Sequence, residues 1–410
     1  MDILWIKIHL SSLIISMNNL YQHKYLKYKS KYLDLKKNIQ FTQLGGNESS
    51  ISKLNNRLCS IIFSNVEGAS NLFSPMSITF ALGLLHIGAQ ANTEKELTSL
   101  FGYKYSLAEL NYIYKLFNND IMKMANALII NDKKTIKPEY LAMVKDLVLI
   151  SNEDFSDSKH ISQKLNNYIS ANTKGMINDI IGPNDISPST IFVLINTIYF
   201  KANWLHKFNK ENTKKMIFQK TKTNKVNMMH QINKFSYYEN ESLQLVELPY
   251  AQEDFVMGII LPRFSEENDL INAPYNIAKF TTDEINQFIS GLIVSKVDLF
   301  VPKFTHRKNL QLVPILKKIG INDLFSKTNA NLSIIVDDIY VSKIIHEAVV
   351  IVDEEGTEAA AVTVITMGVT ASMPTKEEPP KLFKADHAFI YYIRHKPTNM
   401  ILFYGDYQGN

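Results

Sequence analysis

One stretch near the C-terminus, Val352–Thr375, limits most strongly what this chain can fold into. It opens with acidic residues, turns at Gly356, and then runs through small and β-branched residues with no Lys or Arg before Lys376. The alanines of Glu358–Ala361 favour a helix, because alanine is the best helix former. The β-branched residues at 362–366 favour a strand. Periodicity alone leaves open whether this is an ordinary hairpin arm or a strand that enters a tight slot end-first.

If the stretch is a strand, its side chains alternate between two faces. One face starts small and becomes larger, with Thr357, Ala359, Ala361, Thr363, Ile365 and Met367. The other face carries Glu358, Ala360, Val362, Val364, Thr366 and Gly368. A strand whose first face is small and uncharged can enter a packed sheet without burying a charge, which would cost several kcal/mol.

Apolar runs elsewhere predict helices packed on an interior sheet. Thr190–Trp204 is a long β-run of the kind found inside a sheet. Shorter runs that read as strands follow it: Val226–Gln231, Leu245–Tyr250 and Phe255–Pro262. Near the N-terminal end of the folded part, Ser74, Pro75 and Ser77 form a helix-cap signal with proline in the first turn.

The composition sets limits on partners and on the source of stability. A hydrophobic fraction of 46% over 410 residues suffices for a large core, so most of the chain is expected to be ordered. A net charge of +4 gives no strong pull toward nucleic acid. The single cysteine, Cys59, cannot form an internal disulfide, so stability is expected to come from packing.

Signatures of catalysis and metal binding are missing from the sequence. It contains no H-E-x-x-H, no C-x-x-C, no G-x-S-x-G and no phosphate-cradling glycine loop. Asp386 beside His387 offers half of a catalytic triad, but a structural role is the stronger interpretation. We therefore expect no enzyme activity, no catalytic residue, no cofactor and no metal.

Two segments close to the C-terminus carry a family resemblance. KIIHEAVVIVDEEGTEAAAVT (Lys343–Thr363) and FKADHAFIYYIRH (Phe383–His395) resemble the hinge, reactive-centre loop and C-terminal strands of the serpins. The resemblance runs from about Ile51 to Tyr407, with departures such as Ala91, where the family usually has glycine. It implies a serpin fold, α+β, with mixed sheets, surrounding helices and an exposed reactive-centre loop.

The resemblance also implies functional residues. The hinge comprises Glu354, Gly356, Thr357, Ala359, Ala360, Ala361 and Thr363. A buried polar cluster that controls opening of the central sheet comprises Ser74, Ser77, Asn196 and His346, with Trp204 at the top of the opening. Counting from the hinge places the scissile bond at Thr370–Ala371, with Val369, Met367 and Met373 as rivals, because the segment through Pro380 is longer than usual.

The implied function is irreversible suicide inhibition of serine endopeptidases, with cysteine endopeptidases as the alternative target class, by cleavage of the loop and its insertion into the central sheet. The absence of Lys, Arg and Asp between Gly356 and Thr375 argues against trypsin-like and caspase-like targets. Elastase-, chymotrypsin-, subtilisin- or papain-like proteases fit better as targets. We expect the inhibitor itself to be a monomer. Scattered lysines across Tyr103–Asn126 give little support for a heparin-like polyanion. The alternative is a non-inhibitory serpin that acts as a binding, chaperone-like or packaged structural protein.

Residues 1–47 are interpreted as a basic amphipathic extension ahead of a serpin domain at 48–410, because composition changes at Gly45–Ser50. The helical stripe that supports this comprises Tyr21, Tyr25, Tyr28, Tyr32 and Leu35, with lysines around it. The extension resembles those on proteins of giant DNA viruses of amoebae, which implies a viral protein. The sequence leaves open whether the protein is secreted or associated with the virion.

Overall fold

The computed structural model describes residues 48–66, 70–218, 224–263, 280–356 and 378–409. Within these ranges the helices are α1 (Glu48–Asn65), α2 (Pro75–Gly88), α3 (Ala91–Phe101), α4 (Leu107–Phe117), α5 (Pro138–Val144), α6 (Ser158–Asn172), α7 (Thr282–Ser290) and α8 (Leu312–Lys318). In this part of the chain no helix is long and apolar enough to cross a bilayer. The boundary at residue 47 stays a prediction.

Fourteen strands accompany the helices in the described ranges. They are β1 (Leu72–Phe73), β2 (Met122–Asn131), β3 (Leu149–Glu153), β4 (Phe192–Phe200), β5 (Lys214–Ile217), β6 (Lys225–Glu239), β7 (Leu243–Pro249), β8 (Phe255–Pro262), β9 (Ile293–Pro302), β10 (Phe304–Gln311), β11 (Lys343–Val352), β12 (Lys381–Lys384), β13 (Phe389–His395) and β14 (Met400–Tyr407). The α+β class is thereby confirmed.

The smaller sheet has five strands in the order β10-β11-β4-β2-β3. Every residue of β4 is buried, which confirms that the Thr190–Trp204 run forms an interior strand. β11 and β4 run parallel, with Lys343–Val350 opposite Val193–Phe200, whereas β10 pairs antiparallel with β11 and β2 antiparallel with β4. Two strands that run the same way therefore lie side by side in the middle of the sheet.

The larger sheet has nine strands in the order β1-β14-β13-β8-β7-β6-β9-β12, with β5 paired to β6. The predicted strands at Leu245–Tyr250 and Phe255–Pro262 are confirmed as β7 and β8. Val226–Gln231 forms only the first part of β6, which continues to Glu239 because its later residues pair with β7 and β9.

Helices cover both faces of the five-stranded sheet. α2 packs against β4 and β14, so this helix lies between the two sheets, and it is buried along almost its whole length. Ser74 caps it as predicted, since its Oγ accepts a hydrogen bond from the Ser77 N–H at 3.2 Å. α6 covers the other face through Ile161, Leu165 and Ile169, which pack on strand residues such as Ile195.

Ala91, the departure noted above, has a backbone φ of +53°. A left-handed conformation costs a residue with a side chain about 1–2 kcal/mol, whereas glycine adopts it readily. The turn before α3 is therefore retained in this chain, and its geometry explains why glycine suits this position.

Candidate functional site

The structure describes the base of the loop and the buried cluster but not the loop itself. Thr357, Ala359, Ala360, Ala361, Thr363 and the bond Thr370–Ala371 lie within residues 357–377, outside the described part of the chain. Their assigned roles stay predictions. The remaining predicted residues fall into two groups, one in the core of the five-stranded sheet and one at the end of β11.

The first group centres on His346 of β11, which lies directly opposite Asn196 of β4. The imidazole Nδ1 is 2.6 Å from Asn196 Oδ1. The backbone N–H of Ser74 donates to Nε2 at 3.0 Å. Because Nε2 accepts this bond, the proton of the neutral ring is on Nδ1 and is donated to the asparagine.

Asn196 extends the cluster to a third strand. Its Nδ2 donates to Ser77 Oγ at 2.7 Å and to Asn126 Oδ1 at 2.6 Å. Asn126 lies opposite Asn196 on β2 and was missed by the sequence reasoning. A signal existed, because Asn126 is the polar residue inside the otherwise apolar run 124–130. The cluster thus joins β2, β4 and β11 to the start of α2.

Burial makes the cluster sensitive to acid. His346 is fully buried, and the loss of hydration lowers its pKa from 6.5 to about 3. A protonated ring would also have to give up the bond that Nε2 accepts from Ser74. The cluster is therefore complete only when His346 is neutral.

We expect the protein to lose stability below pH 6.5. Since the folded pKa of His346 lies below its unfolded value, its contribution is full above pH 6.5 and is lost as the pH falls toward 3. At pH 5 the loss amounts to about 2 kcal/mol. Melting temperatures measured from pH 7.5 to 5 would show it. His346→Gln should flatten the profile in part, since buried His86 and His306 also have lowered pKa values, and an equally steep profile would contradict the assignment.

The second group holds the turn that follows β11. Trp204 is buried and stacks on Tyr250, with ring centroids 4.5 Å apart. Its indole Nε1–H donates to the carbonyl of Asp353 at 2.8 Å, and its backbone N–H donates to the carbonyl of Glu355 at 2.9 Å. The Phe208 backbone N–H donates to the Glu354 carbonyl at 2.8 Å. These bonds fix the main chain of the turn, and the role of Trp204 in opening the sheet stays a prediction.

Glu354 is held by its side chain as well. Its Oε2 is 2.8 Å from Lys303 Nζ, and its Oε1 accepts from Thr213 Oγ1 at 2.9 Å. Burial by itself would raise the pKa of Glu354, but the hydrogen bonds from Lys303 and Thr213 outweigh burial and lower that pKa. Glu354 is therefore ionised and paired at the base of the loop.

Glu355 has its own pair of cations, Lys207 at 2.7 Å and Lys210 at 3.3 Å. None of the partners of Glu354 and Glu355 was predicted. They are separated from the turn by some 50 to 150 residues of chain, and no local pattern marks them. They were found only once the strands had been placed.

Gly356 ends the described part of the turn and pairs with Asn203 as an isolated bridge. Its φ is +142°, and a Cβ atom there would lie 2.2 Å from the carbonyl oxygen of Ala202. Glycine is therefore required by a close backbone approach in this state. Its predicted value as a flexible hinge is a separate property, which stays a prediction.

Removing the charge of Glu354 should loosen the turn. We expect Glu354→Gln to cost about 1–2 kcal/mol, because Lys303 loses its partner, and to lower the melting temperature by roughly 1–4 °C. The matched control is Glu355→Gln: this carboxylate is more exposed than that of Glu354, with 16% of its side chain accessible against 7%, so its effect should be smaller. In a double-mutant cycle, Lys303→Gln should add little once Glu354 is neutral. If the effects of the two substitutions on stability were fully additive, the ion pair between Glu354 and Lys303 would contribute nothing to stability.

His387 and Asp386, which resemble half of a catalytic triad in the sequence, make structural contacts. Its Nδ1 lies 3.1 Å from Asp386 Oδ1, and its Nε2 lies 2.8 Å from the carbonyl oxygen of Pro262. Both ring nitrogens are therefore engaged in tying β8 to the segment before β13, as expected of a structural residue. In the described ranges no group of three or more His, Cys, Asp or Glu side chains is arranged to hold a metal ion.

Comparison with known protein families and sequences adds independent findings. The family model for serpin (serine protease inhibitor) matches residues 51–408. An uncharacterized serpin-like protein of Acanthamoeba polyphaga mimivirus is 47% identical over 400 residues, covering 95% of this chain and 100% of that protein. Since the family model starts at residue 51, this similarity reaches into the N-terminal segment before it. The leukocyte elastase inhibitor of Xenopus tropicalis is 32% identical, covering 82% of this chain and 92% of the relative.

Solved structures show the same architecture. Native protease nexin-1, crystallised with heparin, matches with a TM-score of 0.78 and 27% identity, covering 88% of this chain and 100% of that one. Serpin48 of the insect Tenebrio molitor matches with a TM-score of 0.75 and 26% identity, covering 88% and 98%. The fold and the sequence thus point to one family.

Proposed function

The chain belongs to the serpin family, and we propose that it is an irreversible suicide inhibitor of serine endopeptidases, with papain-like cysteine endopeptidases as the alternative target class. Serpins are generally protease inhibitors rather than enzymes. In the proposed mechanism a protease cleaves the loop that follows Gly356 and forms an acyl-enzyme. The severed loop then inserts between β11 and β4 before water can release the protease.

The observation that carries the proposal is the parallel pair β11 and β4 next to the turn at Asp353–Gly356. Chain that reverses at this turn and enters between the two strands lies antiparallel to both, because β11 and β4 run the same way. One parallel interface is replaced by two antiparallel ones, which are slightly more stable per residue. Insertion adds roughly a dozen backbone hydrogen bonds at about 0.5–1.5 kcal/mol net each.

The contacts at the two candidate sites support the proposal that the intact protein is held in the state in which the loop is not inserted. The His346–Asn196 bond spans the interface between β11 and β4 and must break when a strand enters there. The bonds from Trp204 and Lys303 hold the turn that the loop must leave. In the proposal these contacts delay insertion until cleavage frees one end of the loop.

The proposed target is a protease that accepts small or apolar residues, and the proposed scissile bond is Thr370–Ala371. The name of one relative, leukocyte elastase inhibitor, agrees with an elastase-like target. The viral relative supports a viral inhibitor directed at host proteases. The rival is a non-inhibitory serpin that binds a partner, and one of the similar structures is thyroxine-binding globulin in complex with thyroxine.

A protease panel tests the proposal. The protein is incubated with elastase-, chymotrypsin-, subtilisin-, trypsin- and papain-like enzymes, and the products are separated on denaturing gels. We expect a complex that survives denaturation with at least one enzyme of the preferred classes and none with trypsin. The mass of the released C-terminal peptide should correspond to a first residue of Ala371. Cleavage by every enzyme without any stable complex would favour the non-inhibitory rival.

Removing residues 1–47 tests the remaining alternative, which is a packaged structural protein directed by the extension. If the chain is an inhibitor, the truncated protein should form the same complexes at the same rate, because the loop and the sheet are unchanged. If it is a packaged structural protein directed by the extension, the truncation should abolish its incorporation while leaving the folded part intact. Loss of inhibition on truncation would contradict the predicted division at residue 47.

A further inference from the structure

The short segment 70–74 links the two sheets. Its middle residues form β1, which pairs antiparallel with β14 of the nine-stranded sheet. β1 also packs on β10 and β11 of the five-stranded sheet. The segment ends at Ser74, whose backbone N–H donates to His346 in the polar cluster. The donor that holds His346 is therefore placed by the strand that precedes it.

A buried carboxylate fixes the start of this segment. Asp406 of β14 is 3% exposed, and its oxygens accept hydrogen bonds from the N–H groups of Ser70 at 2.9 Å and Asn71 at 2.8 Å. The backbone N–H of Asp406 donates to the Asn71 carbonyl at 2.9 Å. Gln408 Nε2 donates to the carboxylate at 2.9 Å. A carboxylate is tolerated in a buried position only where donors surround it, so Asp406 and the segment fix each other's position.

Close packing leaves the segment no room to shift. Leu72 and Phe73 are fully buried, and a Cβ atom on Gly405 would lie 2.7 Å from the Asn71 carbonyl oxygen. From Asn71 to Ser74 the extended chain covers only about 10 Å. Because close-packed interiors transmit a displacement rather than absorb it, a shift at Asn71 is expected to move the Ser74 N–H.

The position of Ser74 matters for opening of the five-stranded sheet. β11 is held on two sides, since His346 bonds to Asn196 of β4 and to the Ser74 N–H, which β14 holds in place. A strand that enters between β11 and β4 separates them by about another 4.8 Å. The bond to Asn196 then breaks, and the bond to Ser74 opposes any movement of β11.

We propose that Asp406 is a positioning residue for the polar cluster. By fixing the start of segment 70–74 it keeps the Ser74 N–H aligned with His346, and so delays insertion until the loop is cut. The inference rests on the proposed insertion of the loop between β11 and β4. It adds a residue of the nine-stranded sheet to the contacts that keep the five-stranded sheet closed.

His306 contacts the same segment at a different point. Its Nε2 lies 3.1 Å from the Ser70 carbonyl oxygen, whereas Asp406 holds the N–H groups and β14 pairs with the residues that follow. Loss of the His306 side chain therefore leaves the connection from Asp406 to Ser74 intact.

Asp406→Asn tests the proposal, because an amide has one acceptor oxygen where the carboxylate has two. Amide hydrogen exchange is measured by mass spectrometry on the full-length protein, with overlapping fragments that isolate Ser74. We expect exchange at Ser74 to be about tenfold faster, the factor expected for one lost hydrogen bond to a charged acceptor. On warming below the midpoint, the monomer should also convert about tenfold faster to polymers or to a form with the uncleaved loop inserted.

The matched control is Glu247→Gln on β7. Glu247 is another buried carboxylate of the nine-stranded sheet, 4% exposed, and its partners lie on β13 rather than in segment 70–74. The control should lose stability, but exchange at Ser74 should rise no more than at other buried amides, and the monomer should persist at the same distance below its midpoint. Gln408→Ala removes one donor to Asp406 and should change exchange at Ser74 in the same direction by a smaller factor. It carries the test if Asp406→Asn does not fold.

Neither measurement needs a protease. If the wild-type protein traps no protease, the proposed function fails, while exchange at Ser74 and conversion of the monomer still decide the role of Asp406. Exchange at Ser74 that is unchanged in the Asp406 and Gln408 variants would overturn the inference. So would changes in Asp406→Asn that only equal those in Glu247→Gln.

Discussion

Cleavage of the loop at Thr370–Ala371 is expected to raise the melting temperature of the protein by roughly 10–20 °C. Insertion between β11 and β4 would add about 10 kcal/mol from backbone hydrogen bonds. Because the entropy of unfolding grows by about 2.1 cal/mol/K per residue, each kcal/mol shifts the midpoint of a chain of this size by roughly 1–2 °C. The measurement is a thermal melt of intact protein and of protein nicked by a protease that it does not trap.

Two neighbouring substitutions make this expectation specific. Ala361→Arg places a charge on the face predicted to enter the sheet, where an unpaired charge costs several kcal/mol. Ala360→Arg adds the same side chain to the opposite face. We expect Ala361→Arg to lose most of the rise and to turn the protein from inhibitor into substrate, whereas Ala360→Arg keeps both. If both variants kept the full rise, or both lost it, the predicted alternation of faces would be wrong.

The sequence predicted the parts of the fold that local pattern controls. The nine buried residues of β4 follow from an uninterrupted apolar run, and the cap of α2 follows from Ser74 and Pro75. His346 and Asn196 came from the family resemblance, and the structure places them opposite each other. The sequence was thus sufficient to predict where a strand or a helix cap lies and which residues occupy it.

Contacts that depend on how distant strands are aligned were not available. Thr213 and Lys207 reach Glu354 and Glu355 because the turn after β11 lies beside the segment from 203 to 213. Lys303 reaches Glu354 because it directly precedes β10, which pairs with β11. A lysine in a loop carries no mark of its partner, since most surface lysines are simply solvated. The close approach of Gly356 to Ala202 was hidden for the same reason.

His346→Ala should have the largest effect among the described residues. It leaves the Ser74 N–H and Asn196 Oδ1 without their partner and opens a cavity, at about 3–5 kcal/mol in total. The melting temperature should fall by roughly 3–10 °C. The lost bond joins β11 to β4, so in the variant a strand should also be able to insert between β11 and β4 before the loop is cleaved. We expect polymers, or a monomer that has inserted its own uncleaved loop, on warming below the midpoint.

His306→Ala is the control that separates lost stability from an opened sheet. His306 is also buried and also makes two hydrogen bonds, to Tyr391 Oη at 2.7 Å and to the carbonyl of Ser70 at 3.1 Å. It lies on the outer strand β10, and neither bond crosses from β11 to β4. Native gels and melting curves after mild heating should show a comparable loss of stability for both variants but polymers or inserted monomer only for His346→Ala. Polymers from both would mean that any destabilised form assembles, and a His346→Ala protein that stays an unchanged monomer would remove this cluster from the control of insertion.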